Sequence, residues 1–116
     1  MENNYLYNVD DRLNQLMKID NTPISDDERK AFFFIIAGND DLYSKRNFIY
    51  DFKERVIKPD CFENENVDFC SSSAKLIKLA FALFNGYPAD VYDTFYILDD
   101  DNFELAINAI KIRFGR

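Results

Sequence analysis

A chain of 116 residues with 21 acidic and 14 basic side chains has a formal net charge of −7, a surface that disfavours direct binding to phosphate backbones or anionic lipid. At 47% hydrophobic and 16% aromatic residues it can build a core without disulfides or a structural metal, so one domain over residues 1–116 is expected and disorder is not. Only 3 Gly and 3 Pro argue against many short strands, no apolar run nears the roughly 18–20 residues of a bilayer-spanning helix, and Met1-Glu2-Asn3-Asn4 lacks the basic flank of a signal peptide; the expectation is a cytoplasmic, all-α protein.

Taken in chain order, Leu6, Val9, Leu13, Leu16 and Met17 fall at helical spacing and predict an amphipathic helix starting near Asn8 or Asp10. Asp20-Asn21-Thr22-Pro23 breaks it into a turn. Ser25 to Glu28 has the form of a capping box, and the helix it opens runs to Ala37 and stops at Gly38, a residue suited to a left-handed cap. Its interior, Phe32 to Ile36, is apolar on every side, which predicts a central helix. Asn39-Asp40-Asp41 caps a short piece reaching Tyr43, and Phe48, Ile49, Phe52 and Val56 predict a further helix that Pro59 ends. Residues 58–70, mixing Pro, acids and Asn, read as a long loop.

Ser71-Ser72-Ser73 offers caps for the most apolar helix, Ala74 to Phe84, whose polar stripe is Lys75, Lys78 and Asn85 and whose end is Gly86. Pro88 suits the first turn of a helix over Ala89 to Leu98, with Val91, Phe95 and Leu98 on its packed face. Asp99-Asp100-Asp101 precedes a last helix, Asn102 to Phe114, whose Lys111 and Arg113 match the dipole at its end. Its polar stripe of Glu104, Asn108 and Lys111 is narrow, so it too is expected to be buried. The sum is a compact bundle of about five to six helices, with those at 28–37, 74–84 and 102–114 at its centre.

The chain contains no His, which removes Ser-His-Asp and Cys-His nucleophile pairs, HExxH zinc sites and imidazole acid-base catalysis. Gly38, Gly86 and Gly115 lie too far apart for a phosphate-cradling loop. Ser72 and Lys75 satisfy SxxK, but a serine triplet before an apolar helix is explained by capping. Cys61 and Cys70 are too widely spaced for a CxxC motif and are expected as free thiols. The acidic groups at Asp26-Asp27-Glu28, Asp40-Asp41, Asp90 with Asp93, and Asp99-Asp100-Asp101 lack EF-hand spacing, and most sit where helices begin and acids serve as caps. No metal, cofactor or catalytic residue is therefore assigned.

Three stretches together, Glu28 to Tyr43, Ser72 to Val91 containing Asn85-Gly86-Tyr87-Pro88-Ala89-Asp90, and Asp101 to Ile110, resemble an uncharacterised family of short acidic proteins from Firmicutes bacteria, a domain of unknown function. The resemblance covers nearly the whole chain and implies a bacterial, intracellular, single-domain protein, with carriage on mobile elements as one setting. It brings no activity and no site residues with it.

Without a catalytic constellation the leading expectation is a non-enzymatic module that binds another protein. Tyr43, Tyr50, Tyr87, Tyr92 and Tyr96 combine apolar area with a polar tip, although most tyrosines border a core. Tyr87 and Tyr92 flank the Pro88 turn and are preferred as interface residues, together with Asp90, Asp93, Glu63 and Glu65. An alternative is an acidic mimic of nucleic acid that blocks a defence or DNA-processing enzyme. A third class is a metal-dependent enzyme using clustered carboxylates.

Overall fold

Every residue from Ala31 to Ala37 is buried, and a helix buried all round must be wrapped by its neighbours. That requirement organises the computed structural model, which describes residues 4–116 and their side chains from residue 9 onward. In chain order the elements are α1 (Asn4–Asp20), α2 (Asp27–Ala37), α3 (Asp40–Ser44), α4 (Arg46–Ile49), β1 (Tyr50–Asp51), β2 (Val56–Ile57), a 3-10 turn over Pro59–Glu63, α5 (Ser71–Asn85), α6 (Val91–Phe95) and α7 (Asp100–Phe114). Helices α1, α5 and α7 pack around α2, and the buried side chains form one cluster. The fold is thus mostly helical, with more helices than five or six because the middle of the chain is cut into short pieces.

Val9, Leu13 and Leu16 face the core from α1, as their spacing predicts, and Leu6 lies outside the described side chains. The helix begins earlier than expected, at Asn4, and ends where Asn21 turns left-handed at φ 59°. Asp26, one residue after the expected Ser25, caps α2: its carboxylate accepts from Arg29 N at 3.0 Å. A charged acceptor outranks a hydroxyl at the positive end of a helix. Gly38 ends α2 without the left-handed conformation, at φ −88°. Its missing side chain matters for another reason, because a Cβ there would fall 2.2 Å from a methyl carbon of the buried Leu105 on α7.

The expected helix from Phe48 to Val56 is replaced by α4 and an antiparallel pair, Tyr50 opposite Ile57 and Asp51 opposite Val56. Two local choices stop the helix. The Asp51 carboxylate accepts from the amides of Lys53 and Glu54, both at 3.0 Å, and Arg55 adopts a left-handed φ of 59°. The hairpin leaves Tyr50 fully buried and returns Arg55 towards the end of α1. Residues 58–70 are less irregular than expected, since Pro59–Glu63 forms the 3-10 turn and seats Cys61 in the core.

Helix α5 starts at Ser71 with Cys70, not a serine, at the cap position, and closes at Gly86 in the left-handed conformation its residue type predicts. Pro88 lies ahead of α6 instead of in its first turn, because Asp90 caps that helix by accepting from Asp93 N at 2.9 Å. Spanning little more than one turn, α6 buries Thr94 and leaves Val91 76% exposed. In α7 only Leu105, Ala106 and Ala109 are buried, so this helix shows one face to the core and exposes Phe103 and Phe114. Cys61 is buried, Cys70 is exposed, and both are free thiols. No helix among the described residues is long and apolar enough to cross a membrane.

Candidate functional site

Exposed large hydrophobic side chains concentrate in the segment that joins α5 to α7, which carries Tyr87, Val91, Tyr92, Tyr96 and Ile97. Tyr92 is 74% and Tyr96 59% exposed, and their rings stack nearly parallel, 5° apart, with centroids 5.0 Å apart. Positions four apart on one turn of helix bring them together, and Asp90 fixes the start of that turn. Behind this pair the half-buried Phe95 meets the exposed Phe103 edge-on at 5.6 Å, which ties α6 to the first turn of α7. That same first turn carries the exposed Asp100 and Asp101, preceded by the cap Asp99. An aromatic ridge therefore lies between acids on both sides in the chain.

The expected interface residues divide into two groups. Tyr92, Asp90 and Asp93 belong to the ridge, although Asp93 is paired with Lys75 Nζ at 2.6 Å and Asp90 uses one oxygen as a cap. Tyr87 instead leans towards Phe81, 6.2 Å away, and Phe81 in turn meets Phe62, the neighbour of Glu63. Glu63 and Glu65 are exposed, and the Lys78 ammonium sits 5.5 Å from the Phe62 ring centre. Tyr96, Ile97 and Phe103 complete the ridge, and neither Ile97 nor Phe103 is distinguishable from a core residue by spacing alone.

A model of a family of unknown function, DUF6075, matches residues 1–116. The chain belongs to that family. No curated protein and no solved structure matches it.

In this DUF6075 chain the other concentration of chemistry is internal. Asp20, whose side chain is fully buried, accepts from Tyr50 Oη at 2.7 Å, Thr22 Oγ1 at 2.5 Å, and Arg55 Nε and Nη2 at 3.2 Å each. Arg29 completes the cluster: its Nε donates to Tyr50 Oη at 3.1 Å, and its other nitrogens donate to Asp26 and to the Arg55 carbonyl. Burial pushes the Asp20 carboxyl up, but hydrogen bonds from Arg55, Thr22 and Tyr50 outweigh it, and the group is held below the usual carboxylate range. Burial, reinforced by the Asp20 carboxylate, pushes the Tyr50 phenol up to about 12. The cluster clamps the hairpin to the ends of α1 and α2. Tyr50, weighed as an interface residue, is thus part of the interior, where the Asp20 carboxylate satisfies its hydroxyl.

Cys70 at the start of α5 is held by the Ser73 hydroxyl, 3.0 Å from its sulfur, and by the Ser73 amide, and both draw the thiol below its ordinary value. Nearby, Asp41 pairs with Lys45 Nζ at 2.5 Å, and its second oxygen is buried without a hydrogen bond. The described residues contain no group of three or more His, Cys, Asp or Glu arranged to hold a metal ion.

Proposed function

We propose that this chain is a non-enzymatic interaction module whose docking surface is the acidic aromatic ridge of α6 and the first turn of α7, and whose partner is a protein bearing a basic, apolar patch. The observation that carries the reading is the stacked and solvent-facing Tyr92–Tyr96 pair. Tyrosines offer large rigid area with few torsions to immobilise, which is why they anchor interfaces. The surrounding Asp90, Asp99, Asp100 and Asp101 select for cations and steer them by long-range attraction. Mimicry of nucleic acid gains less support, because Asp26, Asp90 and Asp99 each commit an oxygen to a helix cap. The resemblance noted above supports a setting for this binding in the cytoplasm of a Firmicutes bacterium.

Affinity capture with the wild-type chain, compared with a Tyr92→Ala/Tyr96→Ala variant, tests the reading. Both rings are mostly exposed, so the variant should melt with the wild type while losing a stoichiometric, basic partner that can be reconstituted from purified components. Hot-spot truncations of this kind cost about 2 kcal/mol or more, roughly thirtyfold in affinity. Equal capture by the two proteins, or turnover of a substrate by the isolated chain, would defeat it.

A further inference from the structure

Most of the 14 lysines and arginines are tied to an acid, a carbonyl or a ring, as in Arg12 with Asp40, Lys45 with Asp41, Arg113 with Glu28, and Arg46 over Tyr43. Among the described residues Lys18, Lys30, Lys53, Lys111 and Arg116 are the exceptions, with no ion pair, side-chain hydrogen bond or ring contact. All of these but Lys53 line two clefts that meet at Lys30. The first, about 500 Å³, lies between α2 and α7, where Lys30, Lys111 and Arg116 surround Phe34 and Ile112. Asp27 is the one acid among the described residues of its lining. The second, about 370 Å³, lies between the end of α1 and the following turn, where Lys18 and Lys30 flank Leu13, Met17 and Ile24. Ile24 is 82% exposed.

In a protein of net charge −7, carboxylates are abundant, yet these four cations make no ion pair and line clefts in which Asp27 is the one acid among the described residues. Like charges brought together without counter-charges repel, and an anion seated among them relieves that repulsion. The lining between them mixes apolar side chains with the polar Asn14, Asn21, Thr22 and Asn108, and Phe34 is its one ring among the described residues, so it offers apolar side chains a cover but gives successive bases almost nothing to stack on.

We propose that the groove running past Lys30 is a second docking site, which takes an acidic segment of a partner protein. Carboxylates of that segment meet Lys18, Lys30, Lys111 and Arg116, and its apolar side chains cover Met17, Ile24 and Phe34. The site is separate from the aromatic ridge and has the opposite charge, so the two surfaces select different partners.

The test uses the full chain, labelled for NMR, at about 150 mM salt, where screening acts over roughly 8 Å and suppresses diffuse attraction. Three probes are titrated: a short amphipathic peptide of Glu and Leu, the same peptide with Lys in place of Glu, and a short single-stranded oligonucleotide. The Glu/Leu peptide should shift Lys18, Lys30, Phe34, Lys111 and Ile112. Lys30→Glu should weaken it about tenfold, whereas Lys53→Glu, with the same change in net charge, should leave it unaltered. Both positions are solvent-accessible, and equal melting temperatures show that each variant is folded. The proposal is overturned by absence of binding at millimolar peptide, by equal effects of the two substitutions, by equal binding of the Lys/Leu peptide, by tighter binding of the oligonucleotide, or by sedimentation showing a second copy already in the groove. Because the ridge is untouched by these variants, loss of the groove proposal leaves the Tyr92–Tyr96 reading to its own experiment.

Discussion

At the scale of single residues, the most consequential side chain is Asp20, because a buried carboxylate is tolerated only when its oxygens are fully engaged. Tyr50→Phe keeps the ring among Phe32, Phe33 and Phe52 and removes only the hydroxyl that joins Asp20 to Arg29. A hydrogen bond to a charged group contributes about 1.5–3 kcal/mol, and urea denaturation should show a loss of that size. The cluster also sets a pH window. Asp20 has a folded pKa below its unfolded value, so its contribution is present above about pH 4 and is lost as pH falls through the lower folded value. Tyr50 is shifted the other way: its contribution is complete below the ordinary phenol value near 10 and is lost as pH rises towards about 12. Denaturation followed against pH should therefore show an alkaline decline between those values that Tyr50→Phe flattens; an identical decline in the variant would contradict the assignment.

Among the elements, the contact between α2 and α7 depends on the absence of one methyl group. Gly38 has an ordinary negative φ, so Ala there meets no backbone penalty, and the whole cost comes from the collision with Leu105. Leu105 is fully buried and has little room to move, which places Gly38→Ala at about 1–3 kcal/mol, the range for overpacking. In a Leu105→Ala background the same substitution should cost much less, and a double-mutant cycle by thermal or chemical melting measures that coupling. Additive losses would show that the two helices are not held at this distance by the pair. The small residues Ala106 and Ala109 on the buried face of α7 fit the same close approach.

For the whole molecule, cohesion runs through aromatic rings that join distant stretches of chain. Phe81 on α5 stacks with Phe32 on α2 at 5.7 Å and meets Phe62 of the 3-10 turn and Tyr87 beyond the end of α5. Truncation to Ala removes all these contacts and leaves a cavity, a loss of about 3–5 kcal/mol out of the roughly 5–15 kcal/mol by which a domain is stable. Phe81→Ala should therefore lower the melting temperature sharply or unfold much of the population. Lys78→Ala, on the exposed face of the same helix, loses only its position over Phe62 and should melt close to the wild type. Similar melting of the two variants would mean that α5 is not a structural centre.

The local sequence determined the helices whose instructions are local: the apolar run at 32–36, the acidic starts of α2, α3 and α7, and the left-handed Gly86 after α5. Spacing and capping act within a turn or two, so they are legible without a partner segment. Only the tertiary structure decided what depends on remote contacts. Tyr50 stands among the tyrosines weighed for an interface, and its place in the interior follows only from the hairpin that brings its hydroxyl to Asp20, 30 positions away in sequence. Phe103 and Val91 read as packed residues because apolar spacing does not reveal which face finds a neighbour, and the short α6 left both outside. Lys111 reads as a match to the dipole at the end of its helix, and nothing in the spacing of Lys18 and Lys30 links them to it. Their meeting at one groove, like the stacking of Tyr92 on Tyr96 at an exposed turn, follows from how α1, α2 and α7 pack and where α6 is left uncovered, which no local pattern encodes.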